Sequence, residues 1–168
     1  SLDLLERKSS NSSAEIDLAI IKLPSVSNFS DFDPLESEAT VKIRWVKPGD
    51  NLGRPDAVIL PGSKQTIRDL NILKRSRLSF EIESFAKNGG YVFGICGGLQ
   101  MLGHRLEDPY GIEGTSEFGE SKGIRGLDLL PINTTFTKRK TLNKLSTKSI
   151  WPDSSPLLGF ELHYGTTK

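Results

Sequence analysis

Tyr91-Val92-Phe93-Gly94-Ile95-Cys96-Gly97-Gly98-Leu99-Gln100-Met101-Leu102-Gly103 is the stretch from which the rest of the chain is read. It opens as a run of strand-forming apolar residues after Asn88-Gly89-Gly90, which suits a strand buried on both faces inside a parallel sheet. It then meets the only cysteine of the chain. From Leu99 onward it reads as the first turn of a helix. A nucleophile between a strand and a helix, with glycines on both sides, must stand on a tight turn. A β-carbon at Gly94 or Gly98 would crowd that bend, and the cysteine would take the unfavourable backbone angles. The turn lifts the sulfur to the carboxyl end of the sheet, where the helix amino terminus behind it favours a thiolate. The competing interpretation is a buried structural cysteine after a core strand; the paired glycines and Gln100 favour chemistry.

The remaining composition sets limits. A chain of 168 residues suits one ordinary domain with its own core. A net charge of +1 without a long basic run argues against nucleic acid or a membrane surface as the main partner. One cysteine leaves no internal disulfide or zinc cluster and fits a reducing cytosol. No apolar stretch approaches the ~20 residues of a membrane span, and no signal-peptide pattern opens the chain.

Residues 1–14 are polar and read as a linker or disordered lead-in, with the domain spanning 15–168. Ile16 to Leu23 is a strong strand stopped by Pro24. Ser25 to Leu35 is turn-rich and carries Phe29 and Phe32; it is expected to form a short ordered loop at the functional edge of the sheet, or to fold its phenylalanines onto the core. Val41 to Val46 alternates apolar and basic residues, as a strand with one exposed face does. Ala57 to Leu60 is a buried strand running into Pro61-Gly62-Ser63-Lys64-Gln65-Thr66, a turn placed to present backbone N–H groups to a ligand but lacking a Walker pattern. Ser63 or Thr66 is expected to cap a helix over Ile67, Leu70 and Leu73. A second helix carries Leu78, Ile82, Phe85 and Ala86 and closes at Asn88-Gly89. His104 to Gly119 reads as loop, and Gly126–Leu130 and Ile132–Phe136 read as strands. Lys138-Arg139-Lys140 reads as a solvated hairpin tip, and Gly159 to Tyr164 as a last short strand. The order of elements implies an α/β fold: a doubly wound, mostly parallel sheet flanked by helices, with a mixed or antiparallel extension.

Gly94 to Gly103 resembles the nucleophile motif of class I glutamine amidotransferase domains, in the variant shared by the enzymes that amidate corrinoids. The loop Leu60 to Leu70, the segments Leu23 to Leu35 and Asp108 to Gly114, and Gly159-Phe160-Glu161-Leu162-His163-Tyr164-Gly165 are similar to that family's motifs, in its order, over about residues 15 to 167. The resemblance implies a flavodoxin-like core and a glutaminase. Cys96 would attack the side-chain amide of glutamine, giving a γ-glutamyl thioester and ammonia. The oxyanion would sit between the N–H groups of Gly97 and Gly62, with Gln100 and Ser63 on the substrate. The ammonia would pass to an ATP-dependent synthetase domain or subunit that amidates adenosylcobyrinic acid diamide in cobalamin biosynthesis. No cofactor or metal is expected on this chain; ATP and magnesium are expected only on the synthetase.

A cysteine amidase needs a base for the thiol proton. The family's catalytic histidine lies in a later motif, so the domain is expected to be incomplete at its carboxyl-terminal end. His163 is the stand-in base, oriented by Glu161 two residues back on the same strand face; His104 reads as a surface or packing residue. Three alternatives stay open: the glutaminase of a sister amidoligase (cobyrinic acid diamide synthase or isoglutaminyl synthase), a non-catalytic docking subunit, and a cysteine hydrolase of the related stress-protein type.

Overall fold

The computed structural model describes residues 15–113, 123–150 and 153–168. The expected lead-in at 1–14 and the glycines at 114 and 119 lie outside them. Four strands, β1 (Ile16–Ile21), β2 (Val41–Val46), β3 (Ala57–Leu60) and β4 (Tyr91–Gly94), form an all-parallel sheet in the order β2-β1-β3-β4. Both faces of β1 and β3 are apolar because both meet protein. Ala19, Ile21, Val58 and Leu60 point to one side, where α2 (Thr66–Arg75) and α3 (Arg77–Lys87) bring in Ile67, Leu70, Leu73, Leu78 and Ile82. Ile20, Ile43 and Ile59 point to the other, against Phe32 and Leu35. Ser76 separates the two helices with extended backbone (ψ 155°), and its hydroxyl donates to Leu73 O at 2.6 Å. Asn88 ends α3 as expected.

The segment after β1 is ordered, and of its two phenylalanines Phe32 is buried while Phe29 stays exposed. Residues Phe29–Phe32 form a 3-10 turn leading into α1 (Asp33–Glu36). Phe29 and Phe32 meet Trp45 with ring centroids 5.1 and 5.3 Å away, so they do fold back onto the sheet. Just before them, Val26 bridges Ser63 in the loop that follows β3.

The strand at the centre of the sequence argument differs from expectation. β4 is an edge strand, not one buried on both faces: Tyr91 is 70% exposed and Phe93 58%. The register places Phe93 beside Ile59 and Tyr91 beside Ala57, so both extend the face that Phe32 covers. That cover reaches the β1–β2 side of the sheet, and no described element continues it over β4. Val92, on the opposite face, packs against the main core.

α4 (Gly97–Met101) leads into a second, mixed sheet in the order β6-β5-β7-β8: β5 (Arg105–Glu107), β6 (Ile124–Arg125), β7 (Asn133–Lys148) and β8 (Pro156–Thr167). Leu106, Ile124 and Phe136 tie it to the main core. The mixed extension therefore stands, but three local expectations do not. Arg105–Glu107 is a strand within the stretch read as loop, too short to show a period. Gly126–Leu130 is not a strand, because its N–H groups bond back to Met101–His104 around the end of α4. Lys138-Arg139-Lys140 lies inside β7, next to the register irregularity between Thr135 and Lys140, and the hairpin turns only after Lys148.

Candidate active site

Cys96 sits between β4 and α4 with φ 50° and ψ −110°, one of two described non-glycine residues at positive φ. For a residue with a β-carbon this backbone costs about 1–3 kcal/mol. The bend is held by three hydrogen bonds: Ile95 N–H to Leu60 O (2.9 Å), Gly98 N–H to Ile95 O (2.8 Å) and Gln100 N–H to Cys96 O (3.1 Å). A β-carbon on Gly98 would stand 2.0 Å from Leu60 O, and one on Gly94 2.5 Å from Leu99 Cα. The flanking glycines are there because backbone passes directly over them, and the thiol stands exposed. α4 has only five residues, so its dipole is that of little more than one turn.

The loop after β3 closes beside this elbow. A β-carbon on Gly62 would come 3.7 Å from Cys96 Cβ. One on Gly97 would come 2.9 Å from Thr66 Oγ1 and 3.0 Å from Ser63 N, so the start of α4 lies against the start of α2. Among the described residues nothing accepts a hydrogen bond from the N–H of Gly62 or Gly97. Ser63 points elsewhere. Its hydroxyl donates to the Asp69 carboxylate (2.8 Å) and accepts from Gln65 N–H (3.0 Å). Neither Ser63 nor Thr66 caps α2 as expected: Gln65 occupies the cap position without a side-chain bond, and the Glu113 carboxylate accepts from Ile67 N–H (3.3 Å). Burial first, then the nearby Asp108 and Asp69 charges, push Glu113 up to about 7 against the pull of its bonds to Ile67 and Thr66.

A cavity of about 540 Å³ opens over the thiol, lined by Cys96, Leu99 and Gln100 from the elbow and by Glu161, His163 and Thr166 from β8. Elements far apart in the chain thus bring the cysteine, the glutamine and the later histidine to one hollow. Register explains the last of these: His163 lies opposite Thr141 and Glu161 opposite Asn143 on one face of the hairpin. Glu161 Oε1 is 2.5 Å from His163 Nε2, and Gly165 O is 2.9 Å from Nδ1. The His163 contact, and secondarily that of Asn143, holds the Glu161 carboxyl below its usual range. Both His163 ring nitrogens are thus engaged, one by a carboxylate and one by a backbone carbonyl. His104 is elsewhere: its Nδ1 pairs with Asp128, which also receives Arg125 (2.8 Å), and the group stands exposed. Those two partners, Arg125 before His104, lower the Asp128 pKa. Among the described residues no cluster of three or more histidine, cysteine or acidic side chains is arranged to hold a metal, and no helix is long and apolar enough to cross a membrane.

Residue reading did not single out Asp69, Asp108 or Glu113, the acidic groups around the start of α2. Asp108 accepts from the N–H groups of Ile112 and Glu113, both at 2.8 Å. Asp69 stands three residues after Thr66 inside a helical pattern, where an acid looks like part of a solvated face; only its zero exposure marks it.

Residues 17–168 match the family described as the CobB/CobQ-like glutamine amidotransferase domain. The chain is 55% identical over 168 residues to the cobyric acid synthase of Prochlorococcus marinus strain MIT 9313, covering all of this chain and 34% of the relative. It is 56% identical over 165 residues to that of a second Prochlorococcus marinus strain, SARG (98% and 32%). With that of Synechococcus sp. strain CC9605 the identity is 53% over 167 residues (99% and 33%). The chain therefore spans about a third of the length of the curated relatives it matches. In fold it is similar to PurLQS from Thermotoga maritima, with a TM-score of 0.63 over 90% of this chain and 68% of that one at 16% identity. With relatives more than half identical along the whole of it, this chain belongs to the family of CobB/CobQ-like glutamine amidotransferase domains.

Proposed function

We propose that the chain is the glutaminase part of a cobyric acid synthase. The observation that carries this is the exposed Cys96 at a positive-φ elbow, opening with Gln100 onto a cavity beside uncommitted N–H groups. Cys96 Sγ attacks the amide carbon of glutamine, and the developing oxyanion is taken by the N–H groups of Gly97 and Gly62. Each such donor contributes about 3 kcal/mol to lowering the barrier. Gln100 holds the substrate, while the Ser63 hydroxyl, engaged with Asp69, supports the loop rather than the ligand. Collapse of the tetrahedral species expels ammonia and leaves a γ-glutamyl thioester, which water hydrolyses to glutamate.

The proton acceptor this chain offers is His163. As the neutral imidazole, with its proton on Nδ1 toward Gly165 O, it turns Nε2 away from Glu161 to take the proton from sulfur. Glu161 then stabilises the imidazolium that returns the proton to the leaving nitrogen. The relatives are about three times the length of this chain and bear the name cobyric acid synthase. That supports the synthetase, with its ATP and magnesium, as the recipient of ammonia for amidating adenosylcobyrinic acid diamide in the cytosol. It also favours that role over the sister amidoligases. Ammonia release from glutamine by this chain tests the reading: it should vanish in Cys96→Ala and fall at least ~100-fold in His163→Gln. Release that survives Cys96→Ala would sink it.

A further inference from the structure

Asp69 is a buried carboxylate with no part in the steps above. It is 0% exposed, in the first turn of α2. Its Oδ2 accepts from Ser63 Oγ (2.8 Å) and Ser25 N–H (3.1 Å), while Oδ1 has no hydrogen-bond partner among the described residues. Burial pushes its pKa up and the Ser63 and Ser25 bonds pull it back. A buried acid held by two donors and short of a third is a poor way to gain stability alone.

What the two donors share is position. Ser25 and Ser63 belong to the two sides of one small bridge, closed by Ser27 N–H to Gly62 O (2.8 Å) and Lys64 N–H to Ser25 O (2.9 Å) around Val26 and Ser63. Those bonds set where the Gly62 carbonyl points, and so the peptide plane it shares with Ser63, next to the Gly62 N–H. The same bridge carries Gly62 so close to the elbow that a β-carbon there would touch the Cys96 side chain. Asp69 thus connects a rigid helix to both sides of the loop whose backbone faces the sulfur. Three buried neighbours on α2, Ile67, Leu70 and Leu73, keep that helix from shifting.

We propose that Asp69 is a positioning residue for the reaction: through Ser63 and Ser25 it holds the Gly62 N–H where the oxyanion forms. This rests on the glutaminase reading given above. The chemistry separates a positioning role from a structural one. A glutamine-mimicking electrophile, 6-diazo-5-oxo-norleucine, needs the substrate pocket and its oxyanion donors; iodoacetamide needs only an accessible thiol.

The test measures both alkylation rates at Cys96 in the intact protein, for the native sequence and for Asp69→Asn, Ser63→Ala and Ser63→Thr. Asp69→Asn and Ser63→Ala should react with the glutamine mimic about 10–100-fold more slowly, with the iodoacetamide rate within about two-fold of native. Ser63→Thr, which keeps the hydroxyl, should restore the mimic rate. In steady state the loss should fall on kcat rather than KM. Equal slowing of both reagents, or no slowing of either, overturns the inference. If Asp69→Asn does not fold, the Ser63 pair decides: equal mimic rates in Ser63→Ala and Ser63→Thr refute it. A native protein alkylated by iodoacetamide but not by the mimic would refute the glutaminase reading itself, and so is distinguishable from failure of the Asp69 argument.

Discussion

Replacing Cys96 with glycine should abolish activity and make the protein more stable. At φ 50° and ψ −110° the cysteine occupies backbone that glycine adopts freely. The strain held there is about 1–3 kcal/mol. Against it stands the extra chain entropy that glycine brings to the unfolded state, about 0.5–1 kcal/mol. Cys96 is exposed, so its removal forfeits little buried surface. The balance is a gain of about 1 kcal/mol, or a rise in Tm of roughly 2–4 °C for a chain of this size. Cys96→Ala is the control, because alanine removes the sulfur and keeps the β-carbon; it should stay within about 0.5 kcal/mol of native. Urea unfolding of the three proteins measures both differences. If the glycine variant proves no more stable than the alanine variant, the elbow is not strained and the account of why cysteine sits there is wrong.

Gly98→Ala should cost about 3 kcal/mol or more, since its β-carbon would lie 2.0 Å from Leu60 O and backbone cannot rotate aside; Gly159→Ala, with nothing within 4 Å, should change urea stability by less than about 0.5 kcal/mol. Glu113 gives a pH dependence. Its folded pKa is raised from 4.5 to about 7, so below pH 4.5 both states are protonated and no penalty is felt. As pH climbs from 4.5 to 7 the unfolded chain loses its proton first, and stability falls. Glu113→Gln should therefore match the native protein at about pH 4 and exceed it by about 1–3 kcal/mol at about pH 8, measured by urea unfolding at both.

Legibility in the sequence followed locality. The elbow could be read because strand, turn and helix signals fall within one short stretch, and the glycine positions report backbone contact directly. α2, α3 and the strands β1 to β3 could be read from apolar spacing, since each has its own buried stripe. The edge position of β4 could not. An apolar strand reads the same whether or not something covers it, and Tyr91 and Phe93 are apolar and bare. The length of β7 was hidden for a related reason: Lys138-Arg139-Lys140 is exposed and resembles a turn although it lies within the strand, where pairing resumes at Lys140. At the site, Cys96, Gln100 and His163 were each visible as residue types in motifs. That they share one cavity depends on a hairpin register no local pattern encodes. Asp69 needed its burial to be seen at all.

The central claim is that the Cys96 sulfur is acylated by glutamine. Rapid mixing of the intact protein with glutamine, acid quenching and peptide mapping by mass spectrometry looks for the adduct directly. The account predicts a γ-glutamyl group on the peptide containing Cys96, absent in Cys96→Ser peptides quenched at the same time. Ammonia released while that thiol stays unmodified at every quench time would contradict it.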